Sequence, residues 1–171
     1  MTPQEAIARI GQSTAHDSFV TSNDVIGGAP VLVARTSQFR LRWFATKLYT
    51  FLVAGTFPPG TATPDQLDGF MRAAVQYGKA NKSGLPVGLQ TGLAAIPVAV
   101  TEHADSSAHV WAATPHGRKF GVLTFPVLLD AATGEVTHPP RLVMGGVYSG
   151  YLKEMVAKHV TTAVGGRATN G

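Results

Sequence analysis

The stretch from Thr114 to Val136 constrains the fold of this chain more than any other segment. It reads TPHGRKFGVLTFPVLLDAATGEV, a long apolar strand bracketed by two turns. Pro115 and Gly117 occupy the positions that a type I turn prefers, and Gly134 suits the left-handed residue of a bulged hairpin. Pro126 requires a bulge or a sheet edge within the strand. The segment therefore predicts a sheet in which this strand has neighbours.

Two further strands, 93–102 and 108–114, are predicted before the long strand at 119–129. The three strands form a meander. In the simplest antiparallel register, one face of this meander collects the core residues Ile96, Val98, Val100, Val110, Ala112, Leu123, Phe125, Val127 and Leu129. The other face carries Thr101, His109, Trp111, Phe120, Val122 and Thr124. This second face is too apolar for water and too polar for a simple core. We expect a helix of the same chain, a second subunit or a ligand to cover part of it.

Three helices are predicted from start signals and apolar periodicity. Thr2-Pro3-Gln4-Glu5 has the residues of a capping box and begins a helix from about Pro3 to Ser13. Thr63-Pro64-Asp65-Gln66 repeats this chemistry, and apolar residues then recur at helical spacing up to Gly78. A last helix follows Gly145-Gly146 and carries an apolar stripe that ends at Val164.

The segment from Val31 to Phe57 is interpreted as strands. Phe39, Leu41 and Trp43 alternate with Arg40 and Arg42 in the period of two that is typical of a half-exposed strand. Beyond this point the phase breaks, and a bulge near Trp43-Phe44 would restore it. A helix from Arg40 to Val53 is the alternative.

These elements predict an α+β fold with the order α-β-β-α-β-β-β-β-α. It would be a single domain over residues 1–164, with a largely antiparallel sheet of five to six strands and three helices. Residues 165–171 are expected to form a disordered C-terminal tail. The element order is similar to the profilin-like and roadblock-like arrangement, in which helices cover one face of the sheet and the other face can serve association.

Composition limits the chemistry and the compartment. The chain of 171 residues contains no cysteine, which excludes disulfides, thiolate catalysis and thiolate metal ligands. It has no leader-like N-terminus and no apolar run of about 18 residues, so that a soluble cytoplasmic protein without a membrane span is expected. The net charge of +4 arises from a shortage of acidic residues, ten in all, and implies a mild attraction to anions.

No motif of nucleotide, zinc-protease, hydrolase or calcium chemistry occurs in the chain, so no cofactor, metal site or catalytic residue is predicted. The leading interpretation is a non-enzymatic protein-interaction or homo-oligomerising module, with another copy or another protein as its partner. It would use the second sheet face or the region from Phe39 to Phe57.

Two other functions are kept as alternatives. Arg35, Arg40, Arg42 and Lys47 form the densest basic segment, and aromatic residues are interleaved with them, which is a pattern suited to binding an anion or a nucleic acid. The second alternative is a small-molecule enzyme or ligand-binding protein with a pocket near His109, which strand pairing would set between Thr101 and Thr124.

Overall fold

A mixed β-sheet forms the centre of the structure, a computed structural model that describes residues 1–40, 46–83, 91–116, 121–142 and 146–170. The strands are β1 (Val20–Ile26), β2 (Ala29–Arg40), β3 (Thr46–Phe57), β4 (Thr91–Thr101), β5 (Val122–Thr124), β6 (Val127–Asp130), β7 (Glu135–His138) and β8 (Arg167–Asn170). The helices are α1 (Pro3–His16), α2 (Pro64–Asn81), α3 (Ser106–Ala113) and α4 (Gly146–Val156), which continues through a π-helical turn (Ala157–Thr161) into α5 (Thr162–Val164).

The sheet combines antiparallel hairpins with a parallel centre. Its order is β1-β2-β3-β4-β6-β7-β8, and β5 also pairs with β4. The pairs β1/β2, β2/β3 and β6/β7 are antiparallel, whereas β3/β4, β4/β5, β4/β6 and β7/β8 are parallel. Gly27 and Gly28, both at positive φ, form the tight turn that joins β1 to β2.

The prolines of two neighbouring strands explain why β5 and β6 are separate. Leu93 pairs with Val122, and Val98 pairs with Val127, so both strands follow one register along β4. That register sets Pro97 opposite Pro126. Neither proline has an N–H to donate to a ladder, and the pairing is therefore interrupted at the place where a bulge or an edge is expected.

Helices pack on both faces of the sheet. We call α4, with its continuation through the π-helical turn and α5, the C-terminal helix. On one face, α1 and the C-terminal helix bury residues such as Ile10, Leu152 and Val156 against the sheet. On the other face, α2 and α3 do the same through residues that include Val75 and Ala112. The structure therefore has three layers, with the sheet in the middle.

The predicted strand from Ala108 to Thr114 is wrong, because this segment forms helix α3. Asp105 caps the helix by accepting a hydrogen bond of 2.9 Å from the backbone N–H of Ala108. A short antiparallel turn could not join β4 to β6, since these strands are parallel and require a crossover connection, which α3 provides. Val110, expected in the core, is 68% exposed.

The α+β class is confirmed, but its predicted details are wrong. The described residues form eight strands and four helices instead of five to six strands and three helices, and the sheet is mixed instead of largely antiparallel. The predicted element order is also wrong, because the described elements run α1-β1-β2-β3-α2-β4-α3-β5-β6-β7-α4-α5-β8, and the expected similarity to the profilin-like and roadblock-like arrangement loses its basis. The expected disordered tail contains β8, which pairs in parallel with β7.

Several local predictions agree with the structure. Thr2 and Glu5 form the capping box of α1, and Thr63 caps α2. The strand interpretation of Val31 to Phe57 holds for β2 and β3, and the helix alternative fails there. The bulge expected at Trp43-Phe44 lies outside the described residues. Six of the predicted core residues share one cluster, namely Ile96, Val98, Val100, Phe125, Val127 and Leu129.

Two alanine substitutions distinguish helix α3 from the predicted strand. Val110→Ala should change the free energy of unfolding by no more than about 0.5 kcal/mol, because the side chain is exposed. Leu128→Ala, at a fully buried position of β6, should lower it by about 2–5 kcal/mol. Urea unfolding followed by circular dichroism measures both, and a decrease of more than about 2 kcal/mol for Val110→Ala would restore the strand.

Candidate functional site

The predicted second face of the sheet is largely interior. Thr101, Val122 and Thr124 are buried, and the hydroxyl of Thr101 donates to the carbonyl of His103 at 3.3 Å. Trp111 lies on α3, which helps to cover this face, and its indole N–H donates to Asp68 of α2 at 2.7 Å. Phe120 lies outside the described residues. A helix of the same chain therefore supplies part of the cover that the sequence required.

His109 occupies a different position from the predicted one. It lies on α3, half-buried, and its Nδ1 is 2.8 Å from the hydroxyl oxygen of Thr137 on β7. The pairing that would have set it between Thr101 and Thr124 does not exist, because α3 is not a strand. The contact joins α3 to the sheet.

A strip of polar and aromatic residues lies on β2 and β3, beyond the last turn of α2. Cross-strand pairs on one sheet face are Arg35 with Phe51, Ser37 with Tyr49, and Phe39 with Lys47. Phe51 is buried beneath α2, but Phe39 is 58% exposed and Arg35, Ser37 and Lys47 are also exposed. We call Arg35, Ser37, Phe39, Lys47 and the half-buried Tyr49 the basic aromatic strip.

Tyr49 lies at the centre of the strip. The Nζ of Lys47 is 5.0 Å from the centre of the Tyr49 ring, within the range of a cation–π contact. At the end of α2, the hydroxyl of Ser83 donates to the Tyr49 hydroxyl at 3.3 Å. This hydrogen bond, together with Lys47 and Lys82, lowers the pKa of the Tyr49 phenol from its usual value of 10.0. The surroundings of the Tyr49 hydroxyl therefore stabilise its deprotonated, negatively charged form.

A shallow cavity of about 330 Å³ opens beside the strip. Arg35, Ser37 and Tyr49 line it from the sheet, and Asn81 and Ser83 line it from the end of α2. None of the described residues that line it is acidic. The nearby carboxylate of Asp24 accepts a hydrogen bond of 2.8 Å from Tyr77. The cavity therefore presents hydrogen-bond donors and positive charge.

The strip contains only part of the predicted basic segment. Arg35 and Lys47 lie on one face, as the spacing along two paired strands allows. Arg40 is the last residue of β2, but its side chain and the whole of Arg42 lie outside the described residues. Asn81, Lys82 and Ser83 were not predicted as part of a site, because they reach the strip only through the packing of α2.

A second polar cluster joins α1 to the C-terminal helix. The ring of His159 is 1% exposed, with its Nδ1 3.0 Å from the hydroxyl oxygen of Ser13 and its Nε2 3.3 Å from a carboxylate oxygen of Asp17. Asp17 also forms an ion pair with Lys158. The spacing of His159 from Leu152 and Met155 sets it on the apolar stripe of the helix.

The arrangement of Ser13, His159 and Asp17 resembles the catalytic triad of a nucleophilic enzyme. The surroundings of these residues do not suit such catalysis. Ser13 lies within α1, where backbone N–H groups are used in the helix and cannot stabilise an oxyanion. His159 is held in a π-helical turn and packs edge-on against the ring of Phe19 at 5.0 Å. We therefore infer that the cluster stabilises the packing of α1 against the C-terminal helix.

Comparison of the chain with protein-family models, curated proteins and solved structures finds no match. Within the described residues, no group of three or more His, Asp or Glu side chains could hold a metal ion. The helices of the same residues include none that is long and apolar enough to cross a bilayer.

Two buried histidines should make the protein less stable in mild acid. Burial lowers the pKa of His159 and of His138, which stacks on Phe125 and lies 3.0 Å from the carbonyl of Pro139. A lowered folded pKa gives stability that is present above the unfolded value, 6.5, and is lost as pH falls below it. The melting temperature should therefore fall between about pH 7.5 and pH 5.5, by about 2–4 °C for each kcal/mol of stability.

Calorimetry of histidine variants tests whether His138 and His159 cause this pH dependence. Replacing both histidines, by His138→Gln and His159→Gln, should flatten the pH profile even if the overall stability is lower. His103→Gln, at an exposed position, should leave the wild-type slope. A wild-type profile that is flat over this range would refute the assignment.

Proposed function

We propose that the protein binds an anionic, phosphate-bearing ligand at the basic aromatic strip. The observation that carries the proposal is the location of Arg35 and Lys47 on one exposed sheet face, beside a cavity whose described lining has no acidic residue. Arginine offers a planar fork of donors that suits phosphate, and lysine adds a mobile point charge.

The polar groups around the two cations support the same ligand chemistry. The hydroxyl of Ser37 and the second N–H of the Asn81 side-chain amide, whose first N–H donates to the carbonyl of Tyr77 at 2.9 Å, can donate hydrogen bonds to phosphate oxygens. Lys82, next to Ser83, increases the local positive charge, and its charge acts on Tyr49. The surface therefore combines charge with several short-range donors, which is how proteins position phosphates.

Self-association is the second candidate function. Helices α2 and α3 pack on the second sheet face, so that face does not favour self-association. Exposed apolar residues at the strip and on edge strand β1 favour it instead, since Phe39 is 58%, Val20 56% and Val25 64% exposed. Light scattering after size-exclusion chromatography tests it, and a monomer at high concentration would remove it.

The enzyme alternative near His109 gains no support from the described contacts. Nδ1 of His109 is engaged with Thr137, and the neighbouring Trp111 is bonded to Asp68. Both side chains stabilise the position of α3.

Thermal-shift titration with inorganic pyrophosphate tests anion binding. Pyrophosphate should raise the melting temperature of the wild-type protein, because a ligand that binds only the folded state stabilises it by mass action. The double variant Arg35→Ala and Lys47→Ala should lose most of this rise. Both side chains are exposed, so the variant is expected to fold.

A control with the same change in charge separates site binding from general effects. Arg9→Ala with Arg72→Ala removes two exposed cations of α1 and α2 that lie outside the strip. It should retain the full rise, and chloride at equal ionic strength should not reproduce it. Equal responses of the two double variants would contradict the proposal.

A further inference from the structure

We infer that the ligand of the basic aromatic strip is a single-stranded nucleic acid whose bases stack on Phe39 and Tyr49. The inference rests on the proposed function, anion binding at the strip, and adds the class of ligand. It follows from the arrangement of the two aromatic rings among the cations.

Phe39 provides an exposed stacking position, and the half-buried Tyr49 provides a second one if Lys47 moves from its ring to a phosphate. Phe39 pairs with Lys47, and Tyr49 lies two residues further along β3 on the same face, so the aromatic residues are diagonal neighbours. The Cα atoms of such neighbours are about 7–8 Å apart, within the reach of large side chains. Phe39 is mostly exposed, although a ring of this size is usually buried. An aromatic ligand could stack on the exposed face of this ring.

Each end of the ring pair has a cation: Lys47 is level with Phe39, and Arg35 lies one cross-strand position beyond Tyr49. Arg35 and Phe39 are four residues apart on β2, which is about 13 Å along an extended strand. Lys47 lies beside Phe39, and Arg35 lies beyond Ser37 at the cavity. A chain of alternating bases and phosphates could thus contact both rings and both cations, which a compact anion such as pyrophosphate cannot do.

The aromatic rings of the strip favour a single strand over a duplex. Proteins bind single strands by stacking unpaired bases on aromatic side chains while basic side chains follow the phosphates. In a duplex the bases are already stacked on one another, so their faces are not accessible to Phe39 or Tyr49. The strip is then expected to prefer unpaired bases of any sequence.

Fluorescence anisotropy with three DNA probes tests this inference. The probes are a fluorescent dT12, an abasic strand with the same number of phosphates, and a duplex of dT12 with dA12. The wild-type protein should bind dT12 about 10-fold more tightly than the abasic strand, because stacking adds to the phosphate contacts. The duplex should bind more weakly than dT12.

Variants separate stacking from charge. Phe39→Ala should remove part of the preference for dT12 over the abasic strand and leave abasic binding unchanged, whereas Phe39→Trp should restore the preference. Arg35→Ala with Lys47→Ala should weaken both probes and reduce the salt dependence, by about 0.7 in logarithmic slope for each phosphate that the protein no longer neutralises. Tyr49→Leu, which keeps an apolar side chain against the core, should resemble Phe39→Ala.

Failure of the inference can be told apart from failure of the proposed function. Equal binding of dT12 and the abasic strand would overturn the nucleic-acid inference while anion binding stands. Tight duplex binding that is insensitive to Phe39→Ala would also overturn it. If neither pyrophosphate nor any strand binds, the proposed function itself is wrong.

Discussion

Burial of β4 on both faces is the constraint on which the rest of the structure depends. All eleven of its residues are buried, and it pairs in parallel with β3 on one side and with β5 and β6 on the other. Parallel neighbours require crossover connections, which α2 and α3 provide on one face. The opposite face is buried by α1 and the C-terminal helix. A two-layer meander with one open face is incompatible with this strand.

The same layering determines where the sheet remains accessible. Helix α2 has 18 residues and is about 27 Å long, whereas β3 has 12 residues and spans about 40 Å. The helix packs closely near its end, where a Cβ on Gly78 would lie 3.0 Å from Leu93. It therefore leaves part of β2 and β3 beyond its last turn. The basic aromatic strip lies in this exposed part of β2 and β3, next to the exposed edge strand β1.

Features that depend on residues close together in the sequence could be predicted. The pairing of strands that are far apart in the sequence could not. Thr2 and Thr63 identify two helix starts because capping involves residues only three apart. Helix α3 was missed because Val110 and Trp111 favour strands, and because its apolar residues do not form a single stripe. Parallel pairing of β4 with β6 has no local signature at all. Arg35 and Lys47 could be identified, but Ser83 reaches them only through the fold.

The rigidity of the strip follows from what lies behind it. On the opposite face of β3, Leu48 and Leu52 are fully or almost fully buried, and the hydroxyl of Thr50 is 3.1 Å from that of Tyr151 on α4. The backbone that carries Lys47 and Tyr49 is therefore held in place by the core. Binding to such a surface loses little conformational entropy, because only the exposed side chains must become ordered. Affinity should thus depend on the exposed rings and cations, while the core beneath them sets their spacing.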